Sequence, residues 1–194
     1  DRELSGIHEE FEFILAPRFV QRRFYKTFAG NLDATFYPFH RPNLLIVGQR
    51  SEVEIYATYN EKDHYCVVIA CNQKLSNLRK KFKRLVLDMK DYGISYIETL
   101  VPLDCHEELC FYLDNGFIPS ALYPAMREFS GQTHDYLLLT RTMEPLDFRG
   151  INIHHSFRPF INQYTSQWIN MHINSIEVYY GSEYRACAQT ESAI

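Results

Sequence analysis

The strongest constraint on the fold is a block of three apolar, β-branched and aromatic runs between residues 43 and 71. The runs read NLLIVGQ, EVEIYATY and YCVVIAC, and only the short polar segments RS and NEKDH separate them. Connections this short predict an antiparallel meander, because a parallel return needs a crossover of a dozen or more residues. The third run is apolar almost throughout, which predicts that it is the most central and most buried of the three strands.

A helix and a further strand follow this block. Segment 72–93 carries apolar side chains at helical spacing, and Gly93 is expected to end the helix. The apolar stripe consists of Leu78, Phe82, Leu85, Val86 and Met89. The run ISYIETLVP at 94–102 then predicts a strand. A strand–helix–strand connection of this length implies that its two strands are parallel neighbours.

The rest of the central region is predicted to close the sheet. A short helix ends at Asn115-Gly116, because Gly readily adopts the left-handed backbone that terminates helices. FIPSALYPAMREF at 117–129 and HDYLLLTRTM at 134–143 predict two final strands. Together these elements predict an α/β (α+β) fold, with a mixed, mainly antiparallel central sheet flanked by helices.

The segments on either side of this core are predicted to be helical. Apolar residues from Ile7 to Phe28 follow helical spacing, and two helical pieces are expected to meet at Ala16-Pro17. A second helical pattern near the C-terminus has its apolar positions at Phe160, Tyr164, Trp168 and Met171. The chain therefore divides into an N-terminal helical segment, 1–42, a core, 43–143, and a C-terminal extension with a helix and a mobile tail, 144–194.

Charge and cysteine content argue against several classes of function. A formal net charge of −4 gives no general attraction to nucleic acid or anionic lipid, and no apolar run is long enough to span a bilayer. The five cysteines form no CxxC pair, and their odd number predicts reduced thiols in a cytoplasmic protein. Because the chain begins at Asp1 and not at Met, we expect it to be a domain of a longer polypeptide.

The order of the elements carries a family resemblance. The second helix ends in FYLDNGF, Phe111 to Phe117, and the last strand contains YLLLTRT. This arrangement resembles the core of the GCN5-related N-acetyltransferase superfamily, whose members end that helix with LYxxxGF. The resemblance covers roughly residues 43–143 and implies an acyl-CoA-dependent acetyltransferase fold.

The resemblance also implies where acetyl-CoA or another acyl-CoA binds. In the superfamily, the backbone amides of a loop with the pattern Arg/Gln-x-x-Gly-x-Gly/Ala hold the pyrophosphate at a helix N-terminus. Gln73, Ser76 and Leu78 fall on this motif, and Leu78 departs from the expected small residue. Leu78 obstructs phosphate unless its side chain turns into the core. The implied cofactor-binding residues are Ala70, Cys71, Gln73, Lys74, Ser76, Asn77, Leu78, Arg79 and Cys105, the last in place of a common Asn.

Three residues are candidates for the chemistry. Tyr112 falls on the tyrosine that protonates the departing thiolate in many members of the superfamily, although its ring could equally serve packing alone. A general base commonly comes from the central strands, where Glu54 and His64 are candidates, as is Asp63 beside His64.

Three functional hypotheses follow. The first is an N-acyltransferase that transfers an acyl group to an unidentified amine. The second is a catalytically degenerate domain of the same fold that senses a ligand or docks other domains of the same polypeptide, with the helix around Trp168 as its interface. The third is a thiol or metal site around Cys105, His106 and Cys110. We predict no metal site there, because zinc needs three or four convergent ligands and no second half is present.

Overall fold

A seven-stranded mixed sheet organises this protein. The computed structural model describes residues 9–30, 40–129, 131–147 and 149–172. The strands are β1 (Phe11–Leu15), β2 (Leu44–Gly48), β3 (Glu54–Asn60), β4 (Tyr65–Cys71), β5 (Tyr96–Pro102), β6 (Ile118–Phe129) and β7 (Gln132–Thr142). The helices are α1 (Pro17–Thr27), α2 (Phe82–Asp91), α3 (His106–Asp114) and α4 (Arg158–His172).

The sheet topology confirms the predicted fold class. The strand order is β1-β2-β3-β4-β5-β7-β6, and β4 and β5 form its parallel pair. The neighbours on either side are antiparallel, as the short connections predicted. β4 lies at the centre of the order, as expected. The prediction that β4 is the most buried strand is wrong, because Ile69, Ala70 and Cys71 at its end are only half-buried.

The prediction of a helix before Pro17 is wrong. Phe11–Leu15 forms β1, which pairs antiparallel with β2 from Phe11 opposite Gly48 to Leu15 opposite Leu44. Five residues are too few for a stable isolated helix, whereas the edge of β2 supplies backbone partners for a strand. The helix after Pro17 is confirmed, with Pro17 in its first turn, where a missing N–H costs nothing. Ile7 and the predicted mobile tail lie outside the described residues.

The predicted helix after β4 is present, and its apolar stripe is buried as expected. The helix is shorter than the predicted segment 72–93. Leu75–Leu78 forms a separate 3₁₀ turn, and α2 begins only at Phe82. All five stripe residues are buried in the main core. Leu78 is 2% exposed, so its side chain turns inward and does not cover the outer surface of the loop.

The two faces of the sheet carry different helices. The main core lies against α2 and α3, and it includes Leu139 of β7. A second core lies beneath α1 and contains Val20, Phe24 and Tyr56. Because side chains alternate along a strand, Thr140 and Thr142 face away from Leu139.

The predicted C-terminal helix is confirmed as α4, and it packs on the β7 face that carries these threonines. The indole of Trp168 donates to Thr142 Oγ1 at 2.8 Å, and the hydroxyl of Tyr164 lies 3.3 Å from Thr140 Oγ1. No helix among the described residues is long and apolar enough to cross a bilayer.

The turn between β2 and β3 is tightly packed around Gly48, and a substitution there tests this packing. A Cβ atom added at Gly48 would lie 2.7 Å from Val53 Cγ1 and 2.8 Å from Glu9 Oε1. We expect Gly48→Ala to lower the free energy of unfolding by about 1–3 kcal/mol, the usual cost of overpacking a core site. Urea unfolding measures the loss. In a double-mutant cycle with the buried Val53, the loss in the combined Gly48→Ala and Val53→Ala variant should be smaller than the sum of the two single losses. A loss in Gly48→Ala within about 0.5 kcal/mol, typical of a surface site, would contradict the predicted clash.

Candidate functional site

A cleft opens where the two parallel strands separate. β4 and β5 pair from Tyr65 opposite Tyr96 to Val68 opposite Thr99, where Thr99 Oγ1 donates to the Val68 carbonyl at 3.3 Å. Beyond this point β5 continues along β7, whereas β4 continues along β3. Ile69 is an extra residue on β4, since Val68 pairs with Ala57 and Ala70 pairs with Tyr56. Such a bulge bends its strand, which is consistent with the separation.

The cleft has a volume of about 540 Å³, within the usual range for small-molecule sites. Its base is formed by Val68 and Thr99. One wall is the end of β4 together with the loop that continues from Asn72 to Leu75, and the facing wall is α3. Thr27 and Phe28, at the end of α1, border the cleft from the other face of the sheet.

The structure brings together part of the predicted cofactor set. Five of its members line the cleft: Ala70, Cys71, Gln73, Lys74 and Cys105. Asn77, Leu78 and Arg79 lie in the 3₁₀ turn and just after it, outside the lining. The backbone of Ser76 belongs to the same turn, and its side chain lies outside the part of the chain that the structure describes.

Two of the side chains predicted to bind the cofactor are exposed cations that pair with carboxylates. The ammonium of Lys74 lies 3.3 Å from a carboxylate oxygen of Glu107 on α3, and Arg79 lies 3.6 Å from Asp114. Exposed pairs of this kind contribute little to stability, so an anionic ligand can compete for the cations. Gln73 is held differently, because its amide donates to the carbonyl of Ser51 at 3.1 Å.

Tyr112 is buried and also belongs to the cleft lining. Its side chain is 2% exposed, and its ring makes edge contacts with Phe82, Phe111 and Phe117. The last turn of α3 fixes its backbone, since the N–H of Phe117 donates to the Tyr112 carbonyl at 3.1 Å. Gly116, with a φ of +79°, supplies the left-handed conformation that this helix end requires. The ring therefore packs, and the residue also borders the cleft.

Glu54 and His64 lie apart from the cleft lining. Burial raises the pKa of Glu54, but hydrogen bonds from Arg23 and Tyr56 outweigh it and leave the pKa lowered. Arg23 Nε donates to Glu54 at 2.8 Å, so this carboxylate is held in an ion pair. His64 precedes the opposite end of β4, about 20 Å away at 3.3 Å per residue, and its ring contacts the Gly93 carbonyl at 2.9 Å.

The cleft contains a carboxyl group that the motif did not indicate. Glu108, in the first turn of α3, lines the cleft together with Tyr112. Burial raises the pKa of Glu108, although the Cys105 thiol and the Lys74 ammonium act to lower it. The sequence signal for Glu108 was its position four residues before Tyr112, because residues four apart in a helix lie on the same side.

The thiols of the cleft are held in their protonated form. Burial raises the pKa of Cys71 to about 11 and also raises that of Cys105. The Cys105 sulfur lies 3.6 Å from Glu108 Oε2, whereas the Cys110 sulfur lies 3.6 Å from His106 Nε2. A thiolate nucleophile needs a lowered pKa, so this environment does not favour the third hypothesis.

No protein-family model matches this sequence, and no curated protein matches it either. Solved structures of similar fold include the IAA acetyltransferase from Bacillus cereus, at 12% identity over 70% of this chain and 99% of that chain, with a TM-score of 0.49. Another is the ribosomal-protein-S18-alanine N-acetyltransferase from Escherichia coli, at 11% identity over 75% of this chain and 99% of that chain, with a TM-score of 0.47.

Proposed function

We propose that this domain is an acyl-CoA-dependent N-acyltransferase that transfers an acyl group to an amine. The observation that carries the proposal is the separation of β4 from β5 directly before the loop at 72–78, with Tyr112 in the lining of the resulting cleft. A thioester carbonyl bound between the strand ends would then lie beside Tyr112, whose hydroxyl can donate a proton. Bound acyl-CoA supplies an activated acyl group on a thiolate leaving group.

The end of β4 suits the extended arm of CoA. Ala70 and Cys71 pair with β3 on one side, and the parallel pairing with β5 has already ended at Val68. Strand backbone that lacks a neighbour can hydrogen-bond an extended ligand that carries amides, as the pantetheine arm does. A backbone N–H at this strand end can also polarise a carbonyl oxygen.

The loop after β4 suits a polyphosphate. Lys74, Arg79 and Lys80 are exposed around the 3₁₀ turn and supply positive charge. Leu78 is turned into the core, so the obstruction that its side chain suggested is absent from the surface of this loop. Cations of this kind attract phosphate oxygens through charge-assisted hydrogen bonds.

A matched pair of cysteine variants tests the proposal. Cys71→Phe places a ring in the cleft, whereas Cys110→Phe places the same ring at another half-buried cysteine, outside the lining. We expect Cys71→Phe to weaken acetyl-CoA binding at least tenfold and Cys110→Phe to leave it unchanged, as measured by calorimetry. Equal affinities for both variants and the wild-type protein would place the ligand elsewhere and contradict the proposal.

The second hypothesis, a degenerate sensing or docking domain, is favoured by one observation. Glu107 and Glu108 add negative charge to the α3 wall, and Glu107 already engages Lys74. This arrangement opposes phosphate binding. If the wild-type protein shows no acetyl-CoA binding at millimolar concentration, the enzyme proposal fails and this alternative stands.

A further inference from the structure

Glu108 and Tyr112 occupy one side of α3. Residues four apart in a helix are neighbours, with Cβ atoms about 5–6 Å apart, and both of these residues line the cleft between β4 and β5. The cleft therefore presents, one helical turn apart, a carboxyl and a phenol, two groups that can accept or donate a proton. The sequence motif indicates only the tyrosine.

The surroundings of Glu108 disfavour its charged form. Its side chain is half-buried, and Lys74, Cys71, Cys105 and Glu107 are the titratable groups that act on it. Burial raises its pKa above the ordinary 4.5, the Cys105 thiol and Lys74 act in the opposite direction, and Glu107 adds to the rise. A general base is most effective when its pKa lies close to the working pH.

The other candidate bases are less suitable. Glu54 is paired with Arg23, and His64 lies beyond the opposite end of β4. Glu107 is exposed and engages Lys74 at 3.3 Å. Among the described residues that line the cleft, Glu107 and Glu108 are the carboxylates, and Glu108 is the more buried of the two.

We propose that Glu108 is the general base of the acyl transfer and that the cleft beside it receives a primary amine. This inference rests on the proposed function. The Glu108 carboxylate takes one proton from the bound ammonium, and the nitrogen of the free amine then attacks the thioester carbonyl carbon. The carbon–sulfur bond breaks, and the thiolate takes the proton of the Tyr112 hydroxyl. The nitrogen gives its second proton to the tyrosinate, and the proton on Glu108 passes to solvent.

The kinetic test compares two small amines as probes, with acetyl-CoA as the donor. Ethylamine is almost fully protonated at neutral pH, whereas hydroxylamine is largely the free amine. We expect Glu108→Gln to lower kcat/KM with ethylamine about 100-fold, the usual contribution of a general base, and to lower it less with hydroxylamine. The acidic limb of the pH profile for kcat/KM should then follow the ionisation of the amine itself and no longer that of Glu108. Glu12→Gln, at an exposed position on β1 outside the cleft lining, should change neither quantity.

A second readout does not depend on turnover. Carbon-13 NMR of labelled glutamate side chains should show one carboxyl that titrates above 4.5 and whose signal is lost in Glu108→Gln. A Glu108 pKa at or below 4.5 would overturn the inference, as would ethylamine turnover by Glu108→Gln equal to that of the wild type. If the wild-type protein does not bind acetyl-CoA at all, the proposed function fails and this inference fails with it.

Discussion

Replacing Tyr112 with Phe is expected to lower kcat for acyl transfer about 100-fold while leaving acetyl-CoA affinity nearly unchanged. The variant removes the one group of this side chain that can donate a proton, and a positioned general acid typically contributes a factor of 10²–10⁴. The ring contacts with Phe82, Phe111 and Phe117 remain, so the main core should keep its packing. Steady-state kinetics and calorimetry separate the two quantities.

Tyr59→Phe is the matched control. Tyr59 is also buried in the main core, and its hydroxyl donates to the Gly93 carbonyl at 3.2 Å, away from the cleft lining. We expect this variant to lose some stability and no turnover. If Tyr112→Phe retains full turnover, the hydroxyl has no catalytic role, and Tyr112 serves packing alone.

Replacing Glu9 with Gln is expected to lower the free energy of unfolding by about 3 kcal/mol at neutral pH. The Glu9 carboxylate is 1% exposed and accepts hydrogen bonds from the N–H of Arg50, the N–H and hydroxyl of Ser51, and the ammonium of Lys81 at 2.6 Å. Glu9 thus ties the segment before β1 to the β2–β3 turn and to the start of α2. A neutral amide loses the charge that these donors stabilise.

The pH dependence of this effect follows from the same contacts. Burial raises the pKa of Glu9, but the hydrogen bonds from Lys81, Ser51 and Arg50 outweigh it and lower the pKa from 4.5 to about 2. A lowered folded-state pKa stabilises the fold at pH values above 4.5, and this stabilisation is lost as the pH falls from 4.5 towards 2. The shift corresponds to about 3 kcal/mol.

Urea unfolding at several pH values measures this dependence. The wild-type protein should lose stability below pH 4.5 more steeply than Glu9→Gln does. Glu12→Gln, at an exposed position on β1, should behave like the wild type. Parallel pH profiles for the wild type and Glu9→Gln would show that the Glu9 carboxylate does not carry the acid sensitivity.

The candidate site was only partly predictable from the sequence. The motif indicated Tyr112 and the loop from Gln73 to Leu78, and the structure places Tyr112 and the first part of that loop, 73–75, in the cleft lining. Glu54 and His64 were chosen as polar residues of central strands, and both lie away from it. Nearby sequence does not predict which end of a strand borders the cleft, nor that Glu54 pairs with Arg23 of α1. Both depend on packing between segments that are distant in the chain.

What the sequence determined by itself is the local structure. The apolar stripe of α2 and the stop at Gly116 follow from helical spacing and backbone chirality, which involve only residues near each other in the chain. Short connections likewise determined the antiparallel meander. These features required no knowledge of the neighbouring segments.

What only the tertiary structure decided depends on pairing between distant segments. Phe11–Leu15 became a strand because the edge of β2 was available to it. The cleft exists because the pairing of β4 with β5 ends after four residues. Beyond that point β4 stays paired with β3, and β5 stays paired with β7. Glu108 is a candidate base because that separation leaves a cleft between its helix and the end of β4. Strand register and burial are set by the whole assembly of the sheet, and the chemistry of the cleft depends on them.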